Sequence, residues 1–202
     1  MSREPRLIQK SRLDALVDGV FAVAMTLLVI DIKLPEGLHP ATGAELLDAL
    51  SALKTQFLVY IISFLVLGLR WASLAQATKP HETVEDRYLR WSLVHLFLIT
   101  CIPFSTMVVG RYGNLAPAIW IYAGNTLLAA FVALRLTAIA APHIGPIAAW
   151  NRRIDLMVLI GASLLVIGVS LIEPRHAMWF YLLDALSPFL RKALGAAPRA
   201  QQ

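Results

Sequence analysis

Between Arg12 and Glu36 the chain reads RLDALVDGVFAVAMTLLVIDIKLPE, an apolar run of membrane length with an acid, Asp18, close to its start. A helix needs about 18–20 apolar residues to cross the hydrocarbon core of a bilayer. A plain anchor has no use for an acid there, because Asp inside a spanning helix costs ~2.5–3.5 kcal/mol on insertion scales. Thr26 adds a polar group mid-run, and Asp31 and Glu36 follow at the exit. Function is therefore expected on this segment.

Similar runs recur along the chain. Its 202 residues are 58% hydrophobic and 15% charged, against roughly half apolar and a quarter charged in soluble domains. Six spans are expected, at about 16–34, 53–75, 88–109, 118–141, 154–172 and 177–190. Residues 1–202 then form one all-α integral membrane domain, with no room for a separate soluble one. Pro35 and Pro142 are expected to stop the first and fourth spans, and Glu173 with Pro174 the fifth. Pro103 lies inside the third and should kink it. The sixth is short and carries Asp184; its MWFY cluster suits a membrane interface. The polar start has no small-residue cleavage site before or within the first run, which is expected to be retained. The tail GAAPRAQQ is expected to be disordered.

Charge then orients the chain. Of 18 Lys and Arg, placing the amino terminus in the cytoplasm leaves only Lys33, Lys54, Arg111 and Arg175 on the other side. Cytoplasmic loops carry the excess of positive charge, and an even number of spans returns the carboxyl terminus to the same face. A multi-pass protein of the inner (plasma) membrane, with both termini cytoplasmic, is expected. No basic stripe interleaved with aromatics suggests a nucleic-acid partner. Cys101, the single cysteine, lies in an apolar run and reads as a packing residue. His39, His81, His95, His143 and His176 show no metal-ligand spacing. No phosphate loop or nucleophile elbow appears. Neither enzyme chemistry, a metal nor a cofactor is expected.

At 100° per residue, Val23, Leu27 and Ile30 share one face of the first helix with Thr26 beside them, while Asp18, Ala22, Met25 and Val29 share another. Gly19, Ala22 and Ala24 would let neighbouring helices approach closely. A buried Asp18 needs donors; Arg12 on its own helix, and Ser63, Trp71 and His95 on others, are the candidates for a buried polar network. His95 alone among the histidines lies within a span.

The run Arg12, Leu16-Val17-Asp18-Gly19-Val20-Phe21-Ala22-Val23-Ala24 and Thr26-Leu27-Leu28, followed by Asp31-Ile32 and Leu34-Pro35, resembles the signature of the potassium channel family called transmembrane protein 175, in its short prokaryotic form. Tyr60-Ile61-Ile62-Ser63-Phe64-Leu65-Val66 with Trp71 is similar to the family's second helix. Leu98-Ile99 through Ile102-Pro103-Phe104-Ser105-Thr106 and Gly110-Arg111-Tyr112 is similar to its third. The resemblance implies a six-helix subunit, a homotetramer and a pore lined by four first helices. The family lacks a TVGYG filter, and this chain has no such motif; the resemblance implies instead that rings of Val23, Leu27 and Ile30 narrow the pore, with the hydroxyl of Thr26 beside them. Such a ring gates by dewetting. Asp31 and Glu36, with Glu45 and Asp48 in the following loop, would concentrate cations at the outer mouth. The family's Phe-Ser before the Asp is Leu16-Val17 here, which removes a hydroxyl beside Asp18, and Arg70 precedes Trp71.

A potassium-preferring passive channel for monovalent cations is the function expected from these features. Two alternatives stay open: a proton- or cation-coupled secondary transporter that titrates Asp18 and His95, and a non-conducting membrane scaffold. The first span lacks the central Gly/Pro break common in carriers.

Overall fold

The computed structural model of the protein describes residues 8–76 and 83–189. The expected disordered tail, Lys79 and His81 lie outside the described residues. The fold is all-α apart from a two-residue antiparallel pair, β1 (Ile8–Gln9) with β2 (Thr83–Val84), in register Ile8 to Val84 and Gln9 to Thr83. The helices are α1 (Lys10–Ile30), α2 (Gly43–Ala52), α3 (Lys54–Gln76), α4 (Asp86–Thr100), α5 (Ile102–Tyr112), α6 (Ala116–Ile144), α7 (Pro146–Ser170) and α8 (Pro174–Ala177). A 3-10 helix, Met178–Leu186, follows. Counting α4 and α5 as one interrupted helix, five helices among the described residues are long and apolar enough to cross a membrane.

The observed ends differ from the expected ones for identifiable reasons. α1 starts at Lys10, well before its apolar run, where Lys10 Nζ meets Asp14 Oδ2 at 2.6 Å across one turn. It stops at Ile30, with Asp31 as its C-cap. Pro35 has no N–H to donate to the carbonyl of Asp31 and disfavours helical Leu34, so the chain leaves the helix early. α6 runs through Pro142 and ends only at Gly145, whose φ of +83° suits glycine and turns the chain straight into α7. α7 begins at Pro146, because Arg152 and Asp155 in its polar first half are buried inside the protein.

Pro103 acts as expected. Without its N–H the ladder fails, and α4 gives way to α5 at Cys101. The carbonyl of Leu98 next to the break accepts from Cys101 N at 3.2 Å and from the Asn125 side chain of α6 at 3.0 Å. Helix breaks at membrane depth persist when neighbours satisfy the backbone in this way.

Two elements correct the sequence reading. Residues 43–52, expected as loop, form α2; Thr42 caps it by accepting from Glu45 N at 3.2 Å, and Glu45 Oε2 accepts from Ala41 N at 2.7 Å. The signal was present as Thr42-Gly43-Ala44-Glu45, a capping box. The segment expected as a sixth spanning helix is instead one α-turn followed by the 3-10 helix.

The core lies between α3, α4, α5, α6, α7 and the 3-10 helix, with α1 laid along α3, α4 and α5 and adding Phe21, Ala24 and Leu28 to it. In lipid, packing rather than water exclusion draws helices together, so small residues mark close interfaces. α6 buries Ala118, Ala123, Ala129, Ala130 and Ala133, and α7 buries Ala149, Ala162 and Ser163.

Candidate functional site

α1 is half inside the folded chain and half outside. Leu13, Phe21, Ala24 and Leu28 are buried. Arg12, Asp18, Gly19, Ala22, Val23, Thr26, Leu27 and Ile30 are exposed on the single chain. At 100° per residue these exposed positions fill one half-circumference. They differ from the exposed residues of the other spans, which include Phe97, Leu128, Phe131, Met157 and Leu164. Those are large and apolar, as lipid requires. The outward half of α1 instead carries a carboxylate, a guanidinium, a hydroxyl and two small residues among its aliphatic side chains. Charged groups turned to hydrocarbon are costly, so this half suits water or another protein surface.

Val23 and Ile30 are both 56% exposed and Leu27 is 42% exposed. Thr26 lies in the same outward half, and its hydroxyl donates to the carbonyl of Val23 at 2.9 Å. That bond uses the proton and leaves oxygen lone pairs free, the orientation in which a hydroxyl can accept from water or face a cation.

The structure brings only part of the expected polar network together. Asp18 Oδ1 accepts from Trp71 Nε1 at 2.9 Å, joining α1 to α3. Asp18 itself is exposed on the single chain, and so is Arg12. Ser63 is fully buried elsewhere, accepting from Thr106 Oγ1 at 2.9 Å between α3 and α5. His95 is buried on the inner side of α1, its ring 6.2 Å from that of Phe21. The group thus separates into an outward Asp18–Trp71 pair, a buried Ser63–Thr106 pair and a buried His95. Leu16 stands outward, 45% exposed, and Val17 packs toward the core.

Asp31 is half-buried and borders a narrow cleft of about 10 Å³ between α1, α3 and α5, with Gln56, Tyr60, Thr106 and Arg111 among its walls. Glu36 is exposed, in a turn closed by Leu38 N to Pro35 O at 3.2 Å and eased by Gly37 at φ +82°. Glu45 is held by the α2 cap, so of the two acids expected in that loop it is Asp48 that stands clear of the capping bonds.

Sequence reasoning missed the inner polar cluster. Arg70 Nη2 donates to both carboxylate oxygens of Asp184, at 3.0 and 3.2 Å, with the residues only 7% and 1% exposed. Ser73 donates to Asp155 Oδ2 at 3.1 Å, and Arg152 is buried on α7. Arg70 also borders a cavity of about 20 Å³ with His95, Thr126 and Leu156, room for about one water. The available signals were an acid in the weakest span and a basic residue beside Trp71.

A family model described as "Endosomal/lysosomal potassium channel TMEM175" matches residues 12–103. A Chamaesiphon minutus protein described as a potassium channel is 31% identical over 139 residues, covering 67% of this chain and 68% of that one. The chain belongs to the TMEM175 family. A Streptomyces collinus relative, also described as a potassium channel, is 33% identical over 104 residues, or 52% of this chain and 49% of its own length. The chain thus spans about half the length of that relative and about two thirds of the Chamaesiphon one. The crystal structure of a Chamaesiphon minutus protein, titled a lysosomal potassium-selective channel TMEM175 homolog, superposes with a TM-score of 0.74 at 25% identity, covering 93% of this chain and 98% of that chain. The resemblance carried by the Asp18-Gly19 motif is therefore a family relationship. TMEM175 proteins form a family of ion channels rather than of enzymes, and the five apolar helices make this member a multi-pass membrane protein.

Proposed function

We propose that this TMEM175 protein is a passive, potassium-preferring channel for monovalent cations, formed by a homotetramer whose four α1 helices surround the pore. The observation that carries the reading is the outward half of α1. It combines exposed Val23, Leu27 and Ile30 with Thr26, Asp18 and Arg12, a mixture suited to a water-lined axis and close helix contact. Gly19 and Ala22 on the same half would allow four copies to approach. Rings of Val23, Leu27 and Ile30 narrow the path and exclude water until they widen. Thr26 supplies polar oxygens beside them, and Asp31 and Glu36 draw cations to the outer mouth. The descriptions of both bacterial relatives as potassium channels support the choice of ion.

The same reading places both termini in the cytoplasm and makes the segment expected at 177–190 a sixth crossing. A 3-10 helix rises ~2.0 Å per residue against 1.5 Å in an α-helix, so the nine residues of Met178–Leu186 reach further than their number suggests. The coupled-carrier alternative gains nothing from the geometry, since Asp18 faces outward with Trp71 while His95 lies behind α1 against Phe21.

The test is flux from liposomes holding the purified protein, with K⁺ and Na⁺ compared for the unmodified chain, Leu27→Ala and Ile30→Ala. Potassium-preferring flux is expected, rising in both variants and losing preference as the rings widen. Absence of flux from all three correctly assembled proteins would overturn the channel reading.

A further inference from the structure

Beyond the acids Glu45 and Asp48 expected near the outer mouth, α2 has no part in the pore reading, yet it is a complete helix of ten residues with none buried. At ~1.5 Å per residue it is ~15 Å long, too short to cross a bilayer. Its position along the chain is closely set. Only Leu53 separates it from α3, and the turn is continuous, with Leu53 N donating to Leu50 O at 3.1 Å and Phe57 N to Leu53 O at 3.0 Å. Because α3 is a spanning helix, α2 sits at the end of a span, where hydrocarbon gives way to water.

Its side chains divide cleanly at 100° per residue. Leu46, Leu50 and Leu47 fall within a single arc, and all three are exposed, Leu47 by 68%. Glu45 and Asp48 occupy the opposite side, and Ser51 lies at the border between Leu47 and Asp48. The capping box fixes Glu45 on that polar side. Large exposed leucines match the lipid-type surfaces of this subunit rather than the small and polar outward half of α1. Along the chain they lead into Phe57, Ile61 and Phe64, the exposed apolar residues of α3. A short helix with one apolar and one acidic face, joined to the end of a span, is suited to lying in the plane of the interface.

We propose that α2 is an interfacial helix that rests on the membrane surface on the side where α1 ends, with Leu46, Leu47 and Leu50 sunk into the lipid boundary and Asp48 turned to water. The occupant of its leucine face is lipid, and its acidic opposite face gives it no need of anionic headgroups. This arrangement ties the connection that carries Asp31 and Glu36 to the bilayer at both ends, through α1 and through α2.

The test uses the assembled full chain in a Cys101→Ala background, reconstituted in vesicles of equal parts phosphatidylcholine and phosphatidylglycerol. Spin labels are placed singly at Leu47→Cys, Leu50→Cys and Asp48→Cys, and their collisions with oxygen and with a water-soluble nickel chelate are measured. Labels at 47 and 50 are expected to favour oxygen, and the label at 48 to favour the chelate. The same ordering is expected in pure phosphatidylcholine. Preference for the chelate at all three sites would place α2 in water and overturn the proposal. Shielding of 47 and 50 from both reagents would show a protein, such as a neighbouring subunit, on the leucine face and overturn it equally. Assembly is checked by size-exclusion chromatography of each labelled protein, independently of conduction.

Discussion

Arg70 and Trp71 are neighbours on α3 and point to opposite fates. Arg70 turns inward to Asp184 on the 3-10 helix, in a pair almost sealed from solvent. Trp71 turns outward, 40% exposed, and donates to Asp18 on α1. Both bonds satisfy a carboxylate at membrane depth, but the surroundings decide what each can do. A sealed ion pair is held by mutual compensation of charge, since either partner left alone is a buried charge. An outward carboxylate keeps bonding capacity to spare, because an ionised Asp can accept several hydrogen bonds. The inner pair therefore belongs to the architecture of the single chain, and the outer pair to whatever α1 meets.

The sharpest way to break this contrast is Arg70→Met. It leaves Asp184 buried without its cation and is expected to cost about 3–5 kcal/mol of stability, seen as a lower unfolding midpoint by circular dichroism in detergent. Adding Asp184→Leu should recover most of the loss, because an apolar pair of similar volume can replace a buried ion pair at little cost. A single variant as stable as the unmodified chain would mean that Arg70 and Asp184 do not act as a closed pair.

The same contrast explains what the sequence disclosed. The outward face of α1 was legible because helical periodicity is local: Val23, Leu27 and Ile30 align by spacing alone. The Asp18–Trp71 pair could be anticipated as one of several candidate contacts because both residues sit in recognisable helical stretches. Arg70 and Asp184 are 114 residues apart, and no local pattern joins an arginine near one span's end to an acid in the last segment. Ser63 and His95 are buried, but Ser63 meets Thr106 and His95 lies against Phe21 rather than meeting Asp18; burial read from a sequence has no direction. α2 was written in Thr42 and Glu45 but lay outside the long apolar runs, which dominate a hydropathy reading. The 3-10 winding of Met178–Leu186 left no periodic signature to separate it from a short α-helix.

Trp71→Phe tests the outer half of the comparison. It deletes one hydrogen bond to an exposed carboxylate and keeps an aromatic side chain, so the expected stability loss is no more than about 1 kcal/mol. Its effect should fall on function: K⁺ flux from liposomes is expected to change while the unfolding midpoint stays close to that of the unmodified chain. A destabilisation as large as that of Arg70→Met, with unaltered flux per assembled channel, would make the outer pair architectural as well and erase the distinction.

A third substitution separates burial from charge. Ser63 and Thr106 join α3 to α5 by a hydrogen bond as deeply buried as the Arg70–Asp184 pair, at 0% and 5% exposure, but both groups are neutral. If burial alone made the inner pair critical, Thr106→Val would be comparably damaging. If uncompensated charge is the cause, it should cost only about 0.5–1.5 kcal/mol, because the Ser63 hydroxyl can turn back to a carbonyl of its own helix. Adding Ser63→Ala should then change little further. A loss near 3 kcal/mol from Thr106→Val alone, read on the same circular dichroism scale, would reassign the strength of the inner network from its ions to the tightness of the α3–α5 contact, where Gly110 already brings the backbone close to Gln56.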